Sequence, residues 1–247
     1  MKEFIKGFGY PLDGFKLIFK PGIRLFVVIP LLINTLLFSL VIYFGAYQII
    51  DLSHWLTSRW HWAEWLVWII WPLFVIVSIT VVFYCFTLVA NLIAAPFNGF
   101  LAEAVEFHLA GIRPPEGSSS LSGLPREILV SMKNELHKFG YFVIRAVPLL
   151  ILFLIPMLNT VAPFVWMVFC SWLLALEYLD FPMSNHGIHF AEIREKLKPH
   201  RDLCLGFGLA ALLLTMIPFV NFLAMPVAVT GATKLWVKQL KPGHAVE

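Results

Sequence analysis

The chain has 247 residues, of which 60% are apolar and 13% are charged, and its mean hydropathy is +0.82. So few charged residues cannot coat a soluble domain of this size, and the composition therefore predicts an integral membrane protein. The formal net charge of +3 comes without a block of Lys and Arg, which argues against a nucleic-acid partner. Cys85, Cys170 and Cys204 each lie inside an apolar run, where buried fillers are expected and not a disulfide or metal framework.

Residues 1–22 mix lysines with apolar residues, which is typical of an amphipathic segment at a membrane surface. The same stretch holds residues that loosen or break helices. We therefore expect it not to form one continuous helix. These residues are Gly7, Gly9, Pro11 and Gly14.

Two long apolar runs follow, at 23–50 and 65–95. Each is long enough to cross the ~30 Å hydrocarbon core as a tilted helix. The first run is longer than a signal-peptide core and no obvious cleavage site follows it, so we interpret it as an uncleaved helix. The linker between the runs contains Trp55, Trp60 and Trp62, and tryptophan is typical of a membrane interface.

The segment 97–141 is predicted to form amphipathic helices on the cytoplasmic side. We expect the second spanning helix to end at the AAPFNG motif and an amphipathic helix to follow it. After a loop rich in Gly and Ser, another helix is expected to begin at Pro125 and to run into the next apolar segment without a break.

Two later apolar segments, 142–176 and 203–233, are each interrupted by proline and asparagine, in IPMLNTVAP and IPFVN respectively. Each half of the first segment rises roughly 24–26 Å as a helix, slightly less than the ~30 Å core. Broken helices at membrane depth are tolerated where protein or a water-filled cavity satisfies the backbone. Paired broken segments are typical of a transporter's substrate path, so the pattern indicates transport.

The distribution of basic residues predicts the topology. Five Lys and Arg lie in residues 1–24, four in 97–141, four in 177–202 and three in 234–247, whereas the Trp-rich linker holds Arg59 alone. Since basic loops prefer the cytoplasm, all these segments except the linker are expected there.

The predicted fold is an all-α integral membrane protein in which residues 1–247 form a single membrane domain. It consists of two long transmembrane helices plus two Pro/Asn-broken helical hairpins that partly penetrate the membrane, with amphipathic cytoplasmic helices. Hairpins that span the membrane fully, and an inverted or mixed orientation, are the alternatives.

With these landmarks in place, the chain resembles the CysZ family of bacterial sulfate transporters along nearly its whole length. The resemblance implies sulfate uptake across the bacterial inner membrane for cysteine synthesis, no ATP-binding domain, and two long membrane helices with partly penetrating hairpins. One motif differs, because the family often has Tyr-Pro-x-Asp-Asn-His where this chain has Phe181 and Ser184. The resembling stretches are GFGYPLDGFKLIFKPGIR, IPLLIN, AAPFNGFLAE, LEYLDFPMSNHG and IPFVNFLAMPVAVTGATKLW.

Sulfate is a small dianion, and a site for it needs convergent backbone N–H groups and arginine side chains. The motif KPGIR offers both at the start of the first long helix, although a positive-inside anchor is an alternative interpretation. In SGLPRE, a proline at the first helical position leaves N–H groups free, although an ordinary helix start with a surface arginine is also consistent with it. The predicted anion-binding residues are Gly22, Arg24, Gly123, Leu124, Pro125 and Arg126.

Other polar residues near the apolar segments are predicted pore or gating residues. Arg145 is the one basic residue inside the two broken apolar segments, so it is expected either to face a pore or to snorkel to the interface. Carboxylates would repel sulfate unless paired or protonated, so they are predicted gates or proton acceptors, or else partners of Lys and Arg that hold the hairpins in register. Asparagines that follow Ile-Pro are expected mainly to satisfy backbone freed by the prolines. The carboxylates are Glu103, Glu106, Glu177 and Asp180, and the asparagines are Asn34, Asn159 and Asn221.

Two other classes of function fit parts of the sequence. His186, His189 and Glu192 would share one helical face and suit a zinc site in a membrane hydrolase, although no HExxH motif is present. A structural or scaffold membrane protein is the second alternative. We expect a multi-pass transporter of the bacterial inner membrane and not an enzyme, with no cofactor and no metal. Its expected partners are sulfate, membrane lipid and further copies of the chain in a homo-oligomer.

Overall fold

The computed structural model describes residues 1–59, 64–111 and 124–241. All regular structure in these ranges is helical, which confirms the predicted all-α class. Short 3-10 turns occur at Leu158–Thr160 and Lys198–His200, and a π-helical turn at Trp236–Leu240. The helices are α1 Lys2–Leu17, α2 Arg24–Arg59, α3 Glu64–Ala110, α4 Leu124–Leu152, α5 Ala162–Ser184, α6 Phe190–Leu197, α7 Arg201–Met216 and α8 Pro218–Leu235.

Three of the described helical stretches are long and apolar enough to cross a membrane: Arg24–Arg59, Ala162–Ser184 and Val220–Leu240. A shorter apolar stretch lies at Trp68–Ser78 in α3. Together with the apolar composition, these stretches make the chain a membrane protein.

The chain divides into two compact units. The smaller unit, Leu25–Phe97, contains α2 and the first part of α3. The two helices meet at Gly45, where an added Cβ would lie 3.4 Å from the Phe74 ring. Large apolar side chains point outward along the length of α2, including Leu36, Tyr43 and Phe44. A helix that is apolar all round needs an apolar surrounding, which lipid supplies.

The larger unit, Met1–Arg24 with Asn98–Glu247, has its core between α1, α5, α7 and α8. The helices approach so closely that backbone touches backbone at glycine. A Cβ added to Gly206 would lie 2.0 Å from the Phe4 carbonyl oxygen, and one added to Gly208 would lie 1.7 Å from the Ser171 carbonyl oxygen. Small residues at helix contacts are how membrane helices achieve close packing.

The expectation that residues 1–22 would not form one helix is wrong, because α1 is continuous from Lys2 to Leu17. Gly7 and Gly14 are contact positions and not breaks. Their added Cβ atoms would lie 2.0 Å from the Leu203 carbonyl oxygen and 2.3 Å from the Val227 carbonyl oxygen. Burial of this face against α7 and α8 outweighs the low helix propensity of glycine, which is about 1 kcal/mol per residue.

The predicted helix end at AAPFNG is also wrong, because α3 continues through this motif to Ala110. A proline removes one hydrogen bond and bends a helix, but it does not oblige the helix to end. The residues that follow the motif are firmly held in the larger unit, since Leu101, Ala102 and Val105 are fully buried. Their burial keeps this part of the chain helical.

The first broken segment forms a helical hairpin. Helix α4 ends at Leu152 and α5 begins at Ala162. The two helices are antiparallel, because their paired aromatic residues run in opposite directions. The ring pairs are Phe153 with Trp166 at 6.3 Å and Phe142 with Phe169 at 6.1 Å, and Trp172 Nε1 donates to the Tyr141 hydroxyl at 2.9 Å.

The second broken segment changes direction at a single residue. Ile217 is extended, with ψ of 112°, between the end of α7 at Met216 and the start of α8 at Pro218. The N–H of Asn221 then donates to the Ile217 carbonyl oxygen at 2.8 Å, which closes the first turn of α8. Proline at this first helical position is typical, because its missing N–H would have no partner there.

Candidate functional site

The turn before α2 is cationic and tightly wound. Gly22 has φ of +88°, a left-handed conformation that glycine adopts without strain. One N–H group at this helix start is already used, because the Arg24 N–H donates to the Lys20 carbonyl oxygen at 3.2 Å. The Arg24 side chain is exposed and makes no ion pair or hydrogen bond within the part of the chain that the structure describes. Beside it, Lys20 Nζ lies 3.2 Å from His108 Nε2, so a Lys, a His and an exposed Arg gather at this turn.

The second predicted anion motif is described only in part. Helix α4 begins at Leu124, one residue before the predicted start at Pro125. Gly123, and the side chains of Leu124, Pro125 and Arg126, lie outside the described residues. Convergence of the two motifs on one anion therefore stays a prediction.

Glu106 lies at the centre of a buried ion cluster, with no exposed surface. Its Oε1 accepts from Lys241 Nζ at 2.7 Å, and its two carboxylate oxygens lie 2.9 and 3.0 Å from His186 Nε2. The His186 ring packs against Trp236, and the preceding residue, Asn185, donates from its side-chain amide to the Gly99 carbonyl oxygen at 2.9 Å. A buried carboxylate is tolerable when it is paired, so this cluster joins α3, the turn after α5 and the segment after α8.

Asp180 forms the ion pair of the first hairpin. Lys138 Nζ on α4 lies 2.5 Å from Asp180 Oδ2 on α5, and both side chains are largely buried. The Ser184 hydroxyl donates to the other carboxylate oxygen at 3.0 Å. Glu106 and Asp180 are therefore both paired with cations. This agrees with the interpretation of these carboxylates as partners of Lys and Arg. Of the other carboxylates, Glu177 is exposed on α5 and Glu103 is partly exposed on α3.

The asparagines do not make the expected contacts. Asn159 and Asn221 are exposed at the two hairpin ends. Among the residues that the structure describes, the one side-chain hydrogen bond of Asn159 comes from the Thr160 hydroxyl at 3.4 Å, and Asn221 has none. Neither side chain satisfies backbone freed by a proline. The side chain of Asn34 lies outside the described residues.

Arg145 is exposed on α4 and lies over its own neighbour on the helix. Its guanidinium carbon is 3.7 Å from the centre of the Tyr141 ring. Sequence spacing alone could have indicated this contact, because residues four apart on a helix are neighbours. By contrast, no local spacing could have indicated that Lys138 pairs with Asp180, or Lys241 with Glu106, because these residues are far apart in sequence.

The three residues considered as zinc ligands do not gather. His186 is bound to Glu106, and His189 and Glu192 are exposed. Across the described ranges, no group of three His, Cys, Asp or Glu side chains is placed to hold a metal ion.

The described chain consists of apolar helices that are joined by turns containing proline and that hold buried ion pairs between them. This arrangement is that of an all-helical membrane protein. The chain belongs to the family described as "Sulfate transporter CysZ/Etoposide-induced protein 2.4", whose profile matches residues 10–226. Two relatives named "Sulfate transporter CysZ", from Pseudomonas aeruginosa strains LESB58 and PAO1, are 41% identical over 95% of this chain and 96% of theirs. A third of that name, from Pseudomonas paraeruginosa strain PA7, is 42% identical over the same shares. The predicted resemblance is confirmed.

Proposed function

We propose that this protein takes up sulfate across the bacterial inner membrane and supplies sulfur for cysteine biosynthesis, as a transporter and not an enzyme. The observation that carries the proposal is 41% identity, over 95% of the chain, to proteins named as sulfate transporters. The apolar helices of the described chain suit a multi-pass protein.

The decisive experiment is uptake of radiolabelled sulfate by the purified protein in liposomes. Uptake above that of empty liposomes is expected. A scaffold protein or a hydrolase would give uptake equal to that of empty liposomes, which would refute the proposal.

The sulfate site is proposed at Gly22 and Arg24, together with Gly123, Leu124, Pro125 and Arg126. The turn at Gly22 supports this, because Arg24 is exposed, follows Lys20 by one helical turn and has no acidic partner among the described residues. Arg24→Ala and Arg126→Ala are each expected to weaken sulfate binding by about 1.5–3 kcal/mol, the range for hydrogen bonds to charged groups. Lys replacements should restore binding only in part, since Lys lacks the planar fork of Arg.

A matched control is Arg201→Ala, because Arg201 is also an exposed arginine at the start of a helix, α7. It should bind sulfate as wild type does. If Arg24→Ala and Arg126→Ala also bind normally, the site lies elsewhere, and Arg145 is the next residue to test.

The proposed membrane arrangement has two spanning helices and two hairpins that penetrate partway, with all basic segments on the cytoplasmic side. Cysteines introduced at Ser53 should then react from the side opposite those at Ser119 and His244. Cysteines near Asn159 and Asn221 should resist bulky reagents from both sides. Since Ala162–Ser184 and Val220–Leu240 are long enough to span, labelling of both hairpin ends from the outer side is the result that would replace this arrangement with full-span hairpins.

The proposed conduction path is bordered by Asn34, Asn159, Asn221 and the carboxylates, and Arg145 either faces this path or snorkels to the interface. The partly penetrating hairpins of a single chain cannot separate such a path from lipid, so a homo-oligomer is proposed. The carboxylates Glu103, Glu106, Glu177 and Asp180 are the proposed gates.

The driving force separates a channel from a proton symporter. A dianion entering a cell that is negative inside by 100 mV works against about 4.6 kcal/mol, so a passive pore would stop below the external sulfate concentration. We favour the channel, drained by assimilation, because the chain offers few carboxylates within its apolar segments. With the membrane potential clamped at zero and sulfate symmetric, an inward proton gradient should then cause no accumulation. Accumulation that Glu177→Gln abolishes would establish proton coupling instead.

A further inference from the structure

Two arginines share one aromatic ring at the base of the first hairpin. The guanidinium carbon of Arg145 on α4 lies 3.7 Å from the centre of the Tyr141 ring, and that of Arg194 on α6 lies 5.4 Å from the same centre. The two guanidiniums are therefore within about 9 Å of each other, a separation at which like charges repel. A cation–π contact of an exposed arginine contributes about 0.5–1 kcal/mol, so the ring places the two guanidiniums without neutralising their charges.

Among the described residues, Arg145 has no carboxylate partner, and Arg194 shares one carboxylate with Lys198. Within the described chain, the contacts of Arg145 are the Tyr141 ring and the Tyr141 carbonyl oxygen at 3.4 Å. Arg194 has one acidic partner, Glu195, at 3.5 Å. That carboxylate is held much more closely by Lys198, at 2.7 and 2.8 Å. The Nε–H of Arg194 is buried and has no acceptor among the described residues, so this guanidinium keeps unused donors.

The surroundings of the pair have the composition of a membrane interface. Trp172 Nε1 donates to the Tyr141 hydroxyl, and aromatic residues with a polar end are typical of the headgroup level. Phe142 and Ile144, which flank the ring on α4, are exposed apolar side chains. Helix α6 is amphipathic, with Ile193 buried on the side away from its charged residues. The two positive charges therefore lie next to a surface that suits acyl chains.

We propose that Arg145 and Arg194 together bind the phosphate group of an anionic phospholipid, with Tyr141 holding the two guanidiniums in place. A guanidinium binds a phosphate through two parallel hydrogen bonds, and two guanidiniums on one ring can address one tetrahedral oxyanion. The acyl chains would lie along the exposed apolar residues of α4. This role does not depend on sulfate transport.

The experiment is native mass spectrometry of the purified full-length protein, titrated with phosphatidylglycerol and, separately, with phosphatidylcholine. The wild type should bind phosphatidylglycerol about tenfold or more tightly than phosphatidylcholine, as expected for charge-assisted hydrogen bonds. Replacement of both arginines, Arg145→Gln with Arg194→Gln, should remove this preference. The matched control Arg201→Gln, also an exposed arginine of the larger unit, should keep it.

Two further arms exclude other readings. Sodium phosphate or sodium sulfate, at the concentration of lipid that saturates the site, should displace little phosphatidylglycerol. If either ion displaces it fully, the site takes a free oxyanion, and the lipid assignment is overturned. If the double variant does not fold, Arg145→Lys and Arg194→Lys preserve the charge and should each reduce the preference without abolishing it. A preference that survives unchanged in all arginine variants would refute the site.

Discussion

The two broken hairpins have similar sequence patterns but very different surroundings. Most of α7 is buried on at least one face, and Gly206 and Gly208 bring it into backbone contact with α1 and α5. In α4, by contrast, Ala146 is the one buried side chain in the described range 137–152. The difference teaches that proline and asparagine specify where an apolar helix breaks, whereas small residues specify whether its arms pack against protein or stay available to lipid.

The largest expected effect is the difference in stability lost at two ion pairs, the Lys241–Glu106 pair of the buried cluster and the Lys138–Asp180 pair of the first hairpin. Lys241→Met leaves the fully buried Glu106 short of its closest cation, and removal of one partner of a buried pair costs about 3–5 kcal/mol. Lys138→Met in the first hairpin should cost less, about 1.5 kcal/mol, because Asp180 keeps some exposure and its bond from Ser184. Denaturant unfolding of the detergent-solubilised protein would measure both. Equal losses would contradict the contrast.

The next effect tests the glycine contacts. Gly206→Ala would place a Cβ 2.0 Å from the Phe4 carbonyl oxygen, so α1 and α7 must separate, at a cost of about 1–3 kcal/mol. The matched control in the first hairpin is Gly140→Ala, where an added Cβ would meet no described atom within 4 Å beyond the backbone of its own helix. Because alanine favours helix, this control should stabilise by about 0.5–1 kcal/mol. Thermal unfolding would show opposite shifts of the melting temperature, and shifts of the same sign would contradict close packing at Gly206.

A smaller effect is expected at the end of the first hairpin. Met157 has φ of 72°, a conformation that costs a residue with a side chain roughly 1–2 kcal/mol. Its side chain is 87% exposed, so little packing is lost on removal. Met157→Gly should therefore stabilise the protein by about 0.5–1 kcal/mol, after the added entropy of the unfolded chain is counted.

The matched control is Met216→Gly at the end of α7, where the residue is also exposed but helical. Glycine should destabilise that position by up to about 1 kcal/mol. A lower melting temperature for both variants would show that Met157 is not strained.

The smallest expected effect concerns α6, which follows the first hairpin. The hydrogen bond from Lys198 lowers the pKa of the Glu195 carboxyl. A lowered pKa in the folded state means that the stabilisation is present above the unfolded pKa and is lost as pH falls through the folded pKa. Because both side chains of the pair are about half exposed to solvent, the effect should be barely measurable. Glu195→Gln should flatten the change in melting temperature between neutral pH and about pH 3 slightly. A large change would indicate a role beyond this pair.

Composition and periodicity were sufficient for the all-α class and for the helix that runs from the Pro125 region into the first apolar segment. They failed for α1, where glycines that usually weaken a helix are contact positions for α7 and α8. Propensity describes an isolated segment, and here tertiary packing overrides it. The pairing of Glu106 with Lys241 could not be predicted either, because the two residues are far apart in sequence and no local pattern links them.

The close contact of α1 with α7 and α8 has a consequence for the order in which the protein is made. Gly7 and Gly14 leave the ribosome early, but the backbone they touch at Leu203 and Val227 is synthesised about 200 residues later, which takes roughly 10–40 s at 5–20 residues per second. During that interval α7 and α8 are not yet present to cover the contact face of α1, so α1 must lie at the membrane surface until they are made. The lysines spread along α1, including Lys6 and Lys16, suit such a waiting position. Lys6 then docks on Gln239, and Asp13 on Lys234, only when the last helix is complete.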